Sequence, residues 1–289
     1  MGRFELPTNR LQGGCSTPEL HRLGTRILPW ELVPHCSERG CCGTLTMGWN
    51  MAKGSTLTAT SGNHLLEALP DTERETLMRQ LRPAHLTVKT VLFDPGQPIQ
   101  FVHFPIDGVI SLVTPLADGN IVEVATIGNE GIVGVPLVPG GSLAVRAISQ
   151  VGGRTLRLDA GEFLRDLERL PAFRELVQKY VQALFGQISQ AAACNRLHSN
   201  EERLSRWLLM SHDRVGTDTF PITHEFLGQM LGSRRATVTL SAGLLQSAGL
   251  IRYHRGRVTI VDREGLESVS CECYGIIKAA LDRVVSTAS

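Results

Sequence analysis

Between Gly228 and Ile260 the chain carries Arg234, Arg235, Arg252, Arg255 and Arg257, and not one Asp or Glu. A guanidinium group donates paired hydrogen bonds to phosphate oxygens and, bidentately, to guanine O6 and N7. Ser233, Thr237, Thr239 and Ser241 place hydroxyls and threonine methyls among the first pair of these arginines. The formal net charge of the whole chain is only +1. Wholesale adhesion to polyanions is therefore excluded, and a local surface for nucleic acid is implied.

Other reactive side chains are less organised. Seven cysteines (Cys15, Cys36, Cys41, Cys42, Cys194, Cys271 and Cys273) are odd in number and unevenly spread, which is not a secreted disulfide framework. Cys271 and Cys273 form a close pair near the C-terminus and read as inert thiols, and no metal site is expected. His85 and His103 stand alone on separate apolar runs, without the paired histidines and carboxylate that a metal-dependent jelly-roll enzyme needs. Neither a phosphate-binding Walker loop nor a nucleophile elbow occurs, and the chain is not expected to be an enzyme.

Specific elements must hold the arginines in place. Thr223 is placed to cap a first helix whose apolar face is Phe226, Leu227, Met230 and Leu231. Gly232 permits a tight turn, and Ser233 is expected to cap a second helix that buries Val238, Leu244 and Leu245. This spacing predicts a helix-turn-helix, with Arg234, Arg235, Thr237, Thr239 and Ser241 on the outer or N-terminal face of the reading helix. Gly249 ends that helix, and Arg252 to Arg257 form a hairpin about Gly256, a wing able to straddle phosphates.

Upstream, Asn63 and Asp71 open short helices, and from His85 the apolar period becomes two. Short runs from LTVKTVLF to RTLRL are punctuated by Asp94-Pro95-Gly96, Asp107-Gly108, Asp118-Gly119, Gly140-Gly141 and Gly152-Gly153. Many short strands at this spacing predict a β-sandwich or jelly-roll barrel. A helix follows from about residue 172, with Phe173, Val177, Tyr180, Leu184, Gln187, Ala191 and Cys194 at alternating four- and three-residue steps. That heptad pattern is expected to be the seam of a parallel dimer.

The expected organisation is thus α+β. It comprises an N-terminal extension over 1–60, a barrel domain over 63–170, a dimerisation helix over 171–198, a winged helix-turn-helix over 199–265, and an amphipathic C-terminal segment over 266–289. The extension reads as poorly ordered. Met47 and Met51 lie just before the ordered pattern, so part of this extension reads as a start-codon artefact. There is neither an apolar run of membrane-span length nor a signal-peptide pattern. The expected location is the cytoplasm.

In this order of elements, and in LGSRRATVTLSAGLLQSAGLI, EERLSRWLL and the DPGQPI turn before FVHF, the chain resembles the Crp/Fnr family of bacterial transcription regulators. The resemblance covers roughly residues 64–262. It implies a homodimer in which a cyclic-nucleotide-binding-like barrel senses a signal and two reading helices meet double-stranded DNA. RNA polymerase and an unidentified small-molecule effector are further expected partners, and a membrane is not. The family reads bases with an arginine, the next residue glutamate, and a second arginine one turn on. Here those positions are Arg235, Ala236 and Leu240. Its cyclic-AMP binders use a glutamate and an Arg-Ser pair, which fall here on Val135 and on Gly141-Ser142. The resemblance therefore argues against conventional cyclic-AMP binding. Glu123, Glu130, Gly134, Val135, Gly141, Ser142 and Arg146 are the residues expected to line any effector pocket. Cys36, Cys41 and Cys42 lack the spacing and the fourth ligand that a family iron–sulfur cluster needs, so that cofactor is not expected either. The competing readings are a regulatory module without DNA binding and a redox- or metal-sensing regulator.

Overall fold

A computed structural model of the chain describes residues 61–136 and 138–286. The expected N-terminal extension, with Cys36, Cys41 and Cys42, lies outside the described residues.

Asn63 opens α1 (His64–Glu67) by accepting from the Leu66 amide, and Pro70 precedes α2 (Asp71–Gln80). Seven strands follow: β1 (Arg82–Leu86), β2 (Val91–Phe93), β3 (Phe101–Pro105), β4 (Val109–Pro115), β5 (Ile121–Ile127), β6 (Arg146–Val151) and β7 (Gly153–Asp159). They form two antiparallel sheets, β1-β7-β3 and β2-β6-β4-β5. Leu86 and Phe93 from the strands of both sheets bury against Ile110, Leu112, Ala125, Ile127 and Ala147, filling the space between the sheets. Two expected strands differ. LTVKTVLF breaks at a turn, where Lys89 has φ +68 and Val88 is exposed. IVGVPLV contributes only an isolated bridge from Val133 to His103, because Gly134 takes φ +78.

Asp159 caps α3 (Ala160–Arg169) through the Gly161 and Glu162 amides, and Pro171 then begins α4 (Pro171–Leu197). A capping box between Ser199 and Glu202 starts α5 (Asn200–Val215). Next come β8 (Thr219–Pro221), α6 (His224–Leu231), α7 (Arg235–Ser247), β9 (Ile251–His254) and β10 (Arg257–Ile260). The last three strands form a small sheet in the order β8-β10-β9. Two helices close the chain, α8 (Arg263–Ser268) and α9 (Cys273–Ser286), and α9 packs back along α4.

The barrel and the C-terminal helices share one core. Leu204, Trp207, Leu208 and Leu209 of α5 join one continuous buried cluster with Leu65, Phe104 and Phe163 on the barrel side. No helix among the described residues is long and apolar enough to cross a membrane.

Candidate nucleic-acid interface

The turn between α6 and α7 is built by two glycines. Gly232 sits at φ +58, which a side chain would strain. Gly228 lets the turn close onto α6, since a Cβ there would meet the Ser233 carbonyl oxygen at 2.9 Å. The Ser233 amide donates to the Gly228 carbonyl at 2.8 Å. Arg203 of α5 donates to the Leu231 carbonyl, tying the end of α6 to the preceding helix. Thr223 caps α6 through the Phe226 amide, as its position predicts.

Inside α7, Val238, Ser241, Ala242 and Leu245 are buried. Arg234, Arg235, Ala236, Thr239, Leu240, Gly243 and Leu244 are exposed, and Thr237 is half-buried. Three sequence expectations change here. The cap position of α7 belongs to Arg234, while the Ser233 hydroxyl donates instead to Asn200 Oδ1 at 2.6 Å. Ser241 turns inward and donates to Glu201 Oε1 at 2.7 Å, so its hydroxyl is unavailable to a ligand. Leu244 faces solvent, one position past the strip that meets the core. Thr239 is outward, but its hydroxyl is committed: it donates to the Arg235 carbonyl at 2.9 Å and lies 3.0 Å from His224 Nδ1. What it offers is a methyl group. Burial and the Arg235 charge hold the His224 imidazole below its ordinary pKa, and its ring lies 4.1 Å from that of Tyr253.

The wing has a single basic face. Opposite partners in an antiparallel pair point the same way, so Arg257 pairs with His254, and Thr259 with Arg252, on one side of the ribbon. Ile251, Val258 and Ile260 are buried on the other. Arg255, at φ +46, and Gly256, at φ +73, make the tip. Among the described residues Arg234, Arg252, Arg255 and Arg257 have no acidic partner, and Arg235 has only a 4.0 Å contact with exposed Glu225. The result is a helix N-terminus and a hairpin presenting uncompensated guanidinium groups, next to apolar side chains at Ala236, Leu240 and Leu244.

Residues 202–269 match the model of the Crp-like helix-turn-helix domain. The chain is a DNA-binding transcription regulator that carries a Crp-like helix-turn-helix domain. It is 26% identical over 185 residues to a global nitrogen regulator of Synechococcus elongatus, covering 60% of this chain and 82% of that one. Among solved structures, FixK2 from Bradyrhizobium japonicum superposes with a TM-score of 0.59 at 13% identity, covering 66% of this chain and 98% of that chain. A putative regulator of the Crp/Fnr family from Eubacterium rectale gives a TM-score of 0.56 at 17% identity, with 71% and 96% covered.

In this regulator the reading unit is fastened to the barrel. Glu123 of β5 is buried. It accepts from Ser111 at 2.5 Å, from Thr126 at 2.8 Å and from Trp207 Nε1 of α5 at 3.0 Å. Burial pushes its pKa up against these donors. Glu130 holds Arg214 of α5, with nitrogen–oxygen distances of 2.7 and 2.9 Å. These two carboxylates, read from sequence as effector contacts, are thus bonds between barrel and DNA-reading unit. The other expected effector residues scatter as well. Val135 is in the core, Arg146 pairs with Asp94 at 2.6 Å, and Ser142 bridges to Pro98 beside the Gly140-Gly141 turn. A cavity of 570 Å³ lies instead between the barrel and α3, lined by Gln100, Phe101, Pro139, Asp159 and Arg165 and by none of the seven.

The expected dimer seam also points inward. Phe173 packs edge-on to Phe163, the Tyr180 hydroxyl donates to the Ile132 carbonyl at 2.8 Å, and Gln187 Nε2 donates to the Thr126 carbonyl at 3.1 Å. Val177 and Ala191 are buried, Leu184 is half-buried, and Cys194 lies 3.5 Å from Cys271. The heptad is therefore the side of α4 that covers this chain's own barrel and α9. The outward side has its own step, through Gln178, Gln182, Phe185, Ser189 and Ala192, with Phe185 69% exposed.

Proposed function

We propose that this regulator acts in the cytoplasm as a homodimer on a two-fold symmetric DNA site. Arg235, with Arg234 and the methyls of Thr237 and Thr239, meets base edges and the nearest phosphates, and Arg252, Arg255 and Arg257 hold the backbone. The observation that carries this reading is the set of exposed arginines at the start of α7 and on one face of the wing, whose one acidic contact among the described residues is the 4.0 Å approach of Arg235 to Glu225. Ala236 and Leu240 stand on the outer face where the family's glutamate and second arginine would be. Apolar contacts with thymine methyls suit them better than hydrogen bonds to cytosine or guanine. The half-site read here then differs from the one that a glutamate and two arginines select.

The two copies meet through the outward side of α4 around Phe185, since the inward heptad is already occupied. Signals reach the DNA-reading unit through the Glu123–Trp207 and Glu130–Arg214 contacts, which α5 makes directly with the barrel. The effector is not a conventionally held cyclic AMP: Val135 and Gly141-Ser142 supply no ribose acceptor and no guanidinium for a cyclic phosphate. An ordered DNA complex is also the species that would meet RNA polymerase.

The experiment is selection of duplexes from a random pool, followed by binding of wild type and Arg235→Ala to the selected site. Arg235→Ala is expected to lose about 1–3 kcal/mol and to relax selectivity at one base pair in each half-site. Unchanged affinity and selectivity would remove Arg235 from base reading.

A further inference from the structure

At the far end of α4 from the barrel, four metal-binding side chains converge on one point. Cys194 and His198 lie four residues apart, so the end of α4 and its cap carry them on one face. Cys271 and Cys273, flanking Glu272 at the start of α9, are brought against them. The three sulfurs and one imidazole nitrogen all lie within 4.8 Å of one another. Cys194 Sγ is 3.5 Å from Cys271 Sγ, and Cys273 Sγ is 3.5 Å from His198 Nδ1. The three cysteines are buried and form a small cluster of their own.

The two 3.5 Å separations are those of ligands around a single ion. Tetrahedral bonds of about 2.3 Å to sulfur and about 2.0 Å to nitrogen put the ligand atoms roughly 3.5–3.8 Å apart. An iron–sulfur cluster interposes inorganic sulfide between its irons, so that ligands on different irons lie further apart than this. Three thiolates with one imidazole favour a soft divalent cation, and four protein ligands leave no open position for substrate.

We propose that Cys194, His198, Cys271 and Cys273 form a closed structural zinc site that fastens α9 to the joint between α4 and α5.

The surroundings fit a metal. His198 Nε2 faces the Glu272 carboxylate at 3.2 Å, which turns Nδ1 toward the thiols in the manner of a carboxylate–histidine–zinc arrangement. Gln190 Nε2 donates to Cys273 Sγ at 3.1 Å. Zinc with three thiolates and a neutral imidazole carries one net negative charge, and three protons leave as it binds. Arg203 and Arg206, both buried, lie within electrostatic reach of Cys194, and each keeps an Nε with no hydrogen-bond partner. The site's position gives it a mechanical role. His198 caps α4, and the next residue, Ser199, caps α5. The ion thus grips the joint through which α4 leads into the DNA-reading unit, together with the segment that lays Tyr274, Ile277 and Leu281 into the core.

The test uses the full chain, purified without chelator after growth with zinc and analysed by elemental mass spectrometry. One zinc per chain is expected, released by a mercurial thiol reagent. Cobalt in its place should show thiolate charge-transfer bands and the intense d–d absorption of a tetrahedral site. C271S/C273S should lower bound zinc at least tenfold. Should that variant fail to fold, His198→Cys should keep one zinc with a shifted cobalt spectrum. Glu272→Gln should weaken zinc about 10–100-fold in chelator competition. The site is overturned by a folded chain that stays metal-free after incubation with zinc. It is equally overturned by a Cys194–Cys271 disulfide in freshly isolated protein, or by iron and sulfide in place of zinc.

Discussion

Replacing Arg252, Arg255 and Arg257 together by alanine isolates the wing's contribution. All three side chains are exposed, none has an acidic partner among the described residues, and Arg252 and Arg257 share one face with Arg255 at the tip. Each phosphate neutralised releases condensed counterions and adds about −0.9 to the slope of log K against log salt. Three contacts per copy, on a dimer with two wings, make the expected slope shallower by about 5. Doubling the salt should then weaken the wild type roughly 40-fold more than the triple variant. Because phosphates carry no sequence information, the loss should be similar on the selected duplex and on a scrambled one. Fluorescence anisotropy with both duplexes, titrated between about 50 and 200 mM salt, reads both quantities. A triple variant with the wild-type slope would mean that the wing does not meet the backbone. A loss confined to the selected duplex would mean that it reads bases instead. The stability of the fold is a separate matter, since these side chains bury nothing, and the melting temperature should not move.

Three further outcomes follow from buried or exposed groups. Glu123→Ala leaves the Trp207, Ser111 and Thr126 donors without their carboxylate. It should cost about 3 kcal/mol or more in denaturant unfolding, whereas an unchanged midpoint would mean that the barrel and α5 are not held there. His103 is buried opposite Arg157 with an unpartnered Nδ1, and its pKa falls from 6.5 to about 4, chiefly through burial and secondly through Arg157. Only the unfolded chain then takes up the proton between these values. Stability should fall by up to about 3 kcal/mol as pH drops from 6.5 to 4 and level off below, and His103→Gln should flatten that part of the profile; identical pH profiles would refute it. Phe185→Glu, on the outward side of α4, should weaken self-association by about 2 kcal/mol or more in sedimentation equilibrium, while an unaltered dimer would place the interface elsewhere.

The local elements of this regulator were written in its sequence. Asn63 and Thr223 cap the helices that their positions predict, and Gly232 with Arg252–Arg257 marks the turn and wing, because capping and turn conformations depend on a few neighbouring residues. The two-residue period placed most of the barrel strands for the same reason. Which way a face points is a different kind of question. The heptad from Phe173 to Cys194 is a true apolar stripe, but periodicity cannot say whether a stripe meets a second copy or the chain's own barrel. Here Phe163, Ile132 and Thr126 claimed it. Ser241 and Thr239 likewise looked like free hydroxyls until Glu201 and the Arg235 carbonyl were placed beside them. Glu123 and Glu130 read as effector contacts, and only the docking of α5 turned them into joints.

The thiols show the limit most plainly. Cys194 and His198 carried one local signal, their four-residue spacing on a helix, and Cys271 and Cys273 carried another. Some 70 residues of chain separate the two pairs. Spacing along the chain determined what each pair could ligate; the return of α9 along α4 determined that they would meet. Local conformation follows from neighbouring residues, whereas the convergence of distant side chains follows from how apolar faces are buried together, and that is decided by the whole fold.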